Sequence, residues 1–405
     1  WLCAIAIGAV AALFSVAGAF TDGVFHRIYL QSPLLAYAIT PIGLALIAWL
    51  TRTYMAGTEG SGIPQMIAAL SSSNKKLHAA LLSMRIALGK IFLTCAGLLS
   101  GASIGTVGPT IHVGASMMYA VRKYFPVRDL DMHRVLIMAG GAAGISAAFN
   151  NPLAGILFAI EELRKNFKDR THSALLIAVV LAGLTSLAIL GRYSYFGISS
   201  AAMPATLSIW PIIIVCAAIG GLLGGLFSQI LIMATRKIGP LVRQYPVRVA
   251  FVCGLILSLL GFLSSGSIYG TGYLESQRLM SGGEVVHAYS IYKLLATAVS
   301  YLSGIPGGIF TPSLSIGAGL GAELAQYISS VPAETIILIG MVSYFTGVVQ
   351  TPITAFVIVM DMTNSSSMVL PLMTAALIAK SASYLVCPKP IYHVLAETYL
   401  KNKYN

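Results

Sequence analysis

Gly101 to Ala115 reads GASIGTVGPTIHVGA, and Gly304 to Ala318 reads GIPGGIFTPSLSIGA. A shift of 203 residues superposes them, pairing Gly105 with Gly308, Pro109 with Pro312 and Gly114 with Gly317. A second pair superposes at a shift of 200: NNPLAGILFAIEE from 150 and QTPITAFVIVMDM from 350, so that Pro152 meets Pro352 and Glu161 meets Asp361. The chain therefore reads as an internal duplication, with a first half at 1–195, a second half at 205–390 and a short tail at 391–405. Duplication alone does not imply transport. Matching segments broken by Gly and Pro do point to a site between two halves at the middle of a membrane.

Composition supplies the membrane. Of 405 residues, 57% are hydrophobic and only 38 are charged, 25 basic and 13 acidic, where soluble domains carry about a quarter charged residues. Mean hydropathy is +0.83, and long apolar runs recur along the whole chain. A soluble enzyme is excluded, and the lipid bilayer is the surrounding medium. The 40 glycines are an excess of the residue that lets helices touch and break inside lipid. The net charge of +12 is scattered in short loops, as at Lys75, Lys76 and Arg85, or Arg164, Lys165, Lys168 and Arg170. Such a distribution suits orientation signals and a headgroup-facing surface rather than nucleic acid. Five dispersed cysteines and seven histidines show neither a disulfide framework nor metal-ligand spacing.

Apolar stretches between Gly, Pro and charge punctuation predict an all-α polytopic membrane protein of about seventeen helices. Long candidates are 1–20, 33–52, 172–193, 205–234, 246–264 and 367–387. Short ones are 63–72, 107–123, 134–146, 151–166, 310–328, 332–348 and 351–363. A short helix at membrane depth is tolerated only where its ends are buried in protein or line a hydrated cavity, so a pathway for a polar solute is expected. Residues 1–20 lack the basic stretch of a cleavable signal and read as a first membrane helix whose polar leader lies outside the sequence.

Three Gly-rich breaks stand directly before short helices: Gly60-Ser61-Gly62-Ile63-Pro64, Gly105-Thr106-Val107-Gly108-Pro109 and Gly307-Gly308-Ile309-Phe310-Thr311-Pro312. Pro in a first helical turn costs no hydrogen bond, and Gly before it lets backbone N–H groups turn towards a ligand. Helix N-termini carry free donors and partial positive charge, so three converging ones would bind an anion without a full cation.

These residues resemble the CLC family of chloride channels and chloride/proton antiporters over essentially the whole chain. The resemblance is carried by GSGIP at 60–64, GxxGP at 105–109, GGIFTP at 307–312, AAFNNPLAGILFAIEE at 147–162 and KPIY at 389–392. It implies a CLC-like fold of mostly short, tilted helices in two inverted repeats, and a homodimer with one pore per subunit. It also implies bound chloride and no other cofactor. By the same resemblance the anion is held by Ser61 and Tyr392, by the backbone of Ile309 and Phe310, and beside Gly62 and Gly108. Two hydroxyls and a few amides can replace water around a dehydrated anion without a Lys or Arg that would trap it. Taken without the resemblance, Tyr392 reads as an interfacial aromatic and Ser61 as a helix cap.

One departure from the family pattern decides the expected mechanism. Most members place a glutamate where this chain has Val107, and that carboxylate both competes with the anion and carries the proton. Valine does neither, as in the kidney channels of the family, and Thr106 replaces the usual base before it. Glu162 matches the family's internal proton site; with Arg164 and Lys165 close behind, a solvated ion-pair residue is the competing reading, and Asp361 reads as a structural or dimer-side carboxylate. We therefore expect passive conduction of chloride and other small anions. The alternative is chloride/proton exchange through a non-standard gate, and fluoride export is disfavoured by Ser61 and Tyr392. The chain's end at Asn405 leads us to expect no cytoplasmic nucleotide-binding domain and a bacterial inner membrane. Gly101-Ala102-Ser103-Ile104-Gly105 fits the hydrolase pattern G-x-S-x-G, but without a preceding strand or a base and acid to activate the serine, and no enzyme is expected.

Overall fold

The computed structural model describes residues 1–123, 130–163, 172–191, 196–197, 201, 209–284 and 286–401. Among these the chain is all helical, with eighteen α-helices and no named strand. The basic cluster at Arg164, Lys165, Lys168 and Arg170 and the last residues, 402–405, lie outside the described residues. Six stretches are long and apolar enough to cross a membrane, among them α1 (Leu2–Gln31), α2 (Pro33–Tyr54), α10 (Trp210–Gln244) and α11 (Pro246–Leu263). The protein is an integral membrane protein, and many of the remaining helices are too short to span.

Several helix ends differ from the sequence expectation. The first helix runs past the expected stop at 20 to Gln31; Asp22, which punctuates the sequence, has a partner elsewhere, its carboxylate accepting hydrogen bonds from Thr271 N (3.2 Å) and Oγ1 (3.0 Å). Helix α10 continues beyond 234 to Gln244, with Arg236, Lys237 and Pro240 exposed along it. The stretch expected as one helix over 151–166 is instead α8 (Pro152–Phe158) followed by a wide π-helical turn, Ala159–Leu163. Residues 391–401, read as a tail, form helix α18 (Ile391–Lys401). Its residues Ile391, Tyr392, Val394, Leu395 and Ala396 are buried in the main core.

Glycine sets the close crossings. Helix α6 (Val107–Val121) lies against α7 (Leu130–Ala148), and α14 (Phe310–Ala325) against α15 (Ala333–Val349). At the first crossing Gly114 and Gly140 meet so closely that a Cβ on either would strike the other's carbonyl; at the second, Gly317 and Gly340 do the same. The shift of 203 pairs Gly114 with Gly317, so one device serves both crossings. The core they build gathers α3 (Ile63–Ser71), α6, α7, α14, α15 and α18 into one buried cluster.

Candidate anion site

The segment before α14 is the hub. Gly60, ahead of α3, donates to Ile305 O (3.2 Å) and accepts from Gly307 N (3.1 Å). Gly105, ahead of α6, exchanges two hydrogen bonds with Gly308, at 2.7 and 2.8 Å. Residues 305–308 thereby hold the starts of α3 and α6 beside the start of α14. The two glycines that the repeat equates, Gly105 and Gly308, are bonded to each other.

None of the residues preceding these helices, Gly62, Thr106 and Ile309, caps the free amides with its own side chain. Among the described residues a side chain caps α4 (Lys75–Leu81) through Asn74, α5 (Met84–Leu99) through Ser83 and α8 through Asn151, while other helices, α10 and α11 among them, also start uncapped. Gly62 takes a φ of 98°, a left-handed conformation open to Gly at little cost. It lies against the His112 ring, 3.0 Å from the point a Cβ would occupy to Nδ1. His112 Nε2 bonds Leu81 O at 2.8 Å; a carbonyl can only accept, so Nε2 carries the hydrogen.

Ser61 and Tyr392 are each 1% exposed, and neither hydroxyl has a hydrogen-bond partner among the described residues. Leaving a buried hydroxyl unsatisfied costs about 1–3 kcal/mol, so a ligand that accepts hydrogen bonds is the chemistry these groups fit. A Cβ on Gly108 would collide with Ser61 Oγ, so glycine there keeps the hydroxyl in place. Tyr392 stacks on Phe310, with centroids 6.3 Å apart and planes 14° from parallel, and the Phe310 ring is fixed edge-on to Phe345 at 4.6 Å. Val107 is 3% exposed in the first turn of α6, in the same core cluster as Ile309, Phe310 and Tyr392. The structure thus brings the Ser61–Gly62, Val107–Gly108 and Ile309–Phe310 segments and Tyr392 into one buried region.

Glu162 does not stand there. It sits in the π-helical turn, 4% exposed, with its carboxylate 3.5 Å from His393 Nε2, an ion pair when the imidazole is protonated. Glu162 is thus buried and not solvated; Arg164 and Lys165, named in the ion-pair reading, lie outside the described residues. His393 directly follows Tyr392 in the first turn of α18, which connects the Glu162–His393 pair to the anion region. Ser103, the would-be nucleophile, has its hydroxyl 3.0 Å from Thr297 Oγ1 and its amide bonded to Ser300 Oγ.

Sequence reading missed two buried lysines. Lys90, on α5, is fully buried and donates to Gly60 O at 3.1 Å, so an amine stands one residue behind Ser61. Lys293, on α13 (Tyr289–Leu302), donates to Ile268 O (2.7 Å), Tyr269 O (3.4 Å) and Gly270 O (2.8 Å), fixing the loop before α12 (Tyr273–Met280). A lone lysine inside an apolar run was the available signal, since intramembrane charges are retained only where they have work to do.

Three buried helix N-termini meeting around two donor hydroxyls in an all-helical membrane protein define an anion transporter of the CLC type. The chain belongs to the family described as voltage gated chloride channel, whose profile matches residues 43–384. It is 28% identical over 397 residues to the H(+)/Cl(−) exchange transporter ClcA of Vibrio parahaemolyticus, covering 93% of this chain and 81% of that protein. It is 29% identical, with the same coverage, to the ClcA of Vibrio campbellii. Among solved structures it is similar to a slow cyanobacterial Cl−/H+ antiporter, with a TM-score of 0.84 and 25% identity over 100% of this chain and 98% of the other. A CLC-type fluoride/proton antiporter shares the fold, with a TM-score of 0.80 and 22% identity over 97% and 96%.

Proposed function

We propose that the protein carries chloride and other small anions across a bacterial inner membrane, exchanging them for protons, as a homodimer with one pathway in each subunit. The halves 1–195 and 205–390 would flank that pathway. The observation that carries the anion assignment is the pair of buried, unbonded hydroxyls of Ser61 and Tyr392 beside uncapped helix starts. Donors of this kind replace the hydration of an anion, while the buried amine of Lys90 is tied to a carbonyl. The ion is held by dipoles and released readily.

Exchange is favoured by the relatives, which are named as H+/Cl− exchange transporters and antiporters, and by the buried Glu162–His393 pair. Passive conduction is the second reading, favoured by one residue. Val107 offers no titratable group where the family pattern has a glutamate, so exchange requires another proton carrier on the outer side.

Purified protein in liposomes decides between them. On the exchange reading, an outward chloride gradient drives protons inward against their own gradient, and Glu162→Gln abolishes that uptake. Chloride efflux with no proton movement would overturn exchange in favour of conduction, and absence of chloride movement would sink both.

A further inference from the structure

Glu161 and Glu162 are adjacent in the π-helical turn, yet they engage different parts of the molecule. Glu161 reaches into the second half: its carboxylate accepts from Ile353 N (3.0 Å), Thr354 N (2.6 Å) and Thr354 Oγ1 (2.8 Å). These are first-turn donors of α16 (Pro352–Met362), which Thr351 leaves uncapped. Under the shift of 200 they correspond to Leu153 and Ala154, whose amides are capped by Asn151 Oδ1 at 2.7 and 3.2 Å. Asp361, the counterpart of Glu161, stands near the Asn151 side chain, but only Glu161 crosses directly to the first turn of the other half's helix.

A π-helical turn is wider than its neighbours and is rare without an outside reason. Here the three bonds of Glu161 supply an anchor one residue before Glu162, and helices α8 and α16 pack against each other around it. We propose that Glu161 is a positioning residue for Glu162: bound to α16, it holds the turn so that the Glu162 carboxylate faces His393 on α18. A functional consequence rests on the reading of Glu162 as the inner proton site; the geometry can be tested without it.

The test is a thermal double-mutant cycle on the full chain, with Glu162→Gln, His393→Ala and both together. In the native background the two melting shifts should be non-additive by about 2 °C, and in a Glu161→Ala background they should add. Glu161→Gln retains one acceptor for the α16 amides and should restore part of the non-additivity. In liposomes Glu161→Ala should lower the protons moved per chloride. Non-additivity that persists in Glu161→Ala, or is absent from the native chain, overturns the proposal. Loss of non-additivity in a chain that moves no protons leaves the positioning role standing and removes the proton reading of Glu162. If Glu161→Ala does not fold, Thr354→Val, which deletes a single donor, carries the same cycle, and an unchanged cycle there also overturns it.

Discussion

On the proposed function, Ser61, Tyr392 and Val107 are the single residues that matter most, and they predict effects of opposite sign on stability and binding. Ser61→Ala and Tyr392→Phe delete hydroxyls that have no partner among the described residues, so the chloride-free protein should melt at the same temperature or higher. Chloride binding should weaken, by about 1 kcal/mol per hydroxyl or roughly fivefold, because a hydrogen bond to the ion is lost. Melting curves in gluconate and calorimetric chloride titration give the two numbers; a loss of stability without a loss of affinity would place the hydroxyls outside the site. Val107→Glu should install a competing anion in the first turn of α6. When ionised it repels chloride, and protonation removes the competition. Flux in this variant should therefore be low at neutral pH and rise on acidification. Chloride efflux followed from about pH 7.5 to about pH 4.5 checks it, against a flatter profile in the parent; identical profiles would show that residue 107 does not face the pathway.

Pairs of helices are held by surfaces with almost no side chain between them. At Gly114–Gly140 and Gly317–Gly340 the backbones leave no room for a Cβ, so Gly114→Val and Gly317→Val should each cost about 1–3 kcal/mol through overpacking. Each should lower the melting temperature of the purified protein by a comparable amount, because the repeat gives both positions the same job. The starts of α3, α6 and α14 are tied by backbone bonds through Gly60, Gly105, Gly307 and Gly308. Side-chain changes there reach the anion only by moving a whole helix start. Gly108→Ala, whose new Cβ would strike Ser61 Oγ, belongs with them and should reduce chloride affinity.

Across the whole molecule, a site made from three separated stretches and the last helix exists only when the chain is folded. Chloride should therefore stabilise the protein by mass action, by about 2.7 kcal/mol at a concentration a hundredfold above its dissociation constant. Replacing gluconate by chloride should raise the melting temperature of the native chain and leave that of the Ser61→Ala/Tyr392→Phe double variant almost unmoved. Equal shifts in both would assign the effect to general salt rather than to this site.

Membrane residence, helical class and internal duplication were legible in the residues alone, because apolar runs and the Gly/Pro punctuation at 101–115 and 304–318 are local properties that folding does not change. The three Gly-rich helix starts were legible for the same reason. Their meeting was not: Gly60 and Gly307 are 247 positions apart, and only the folded chain brings them to hydrogen-bonding distance. Nor could local pattern show that Lys90 stands behind Gly60, that Glu161 crosses to α16, or that residues 391–401 are a buried helix and not a tail. Charge and sequence position say what a side chain can do. Which partner it finds depends on tertiary packing, and in a membrane a buried polar group must find one inside the protein or on a bound ligand.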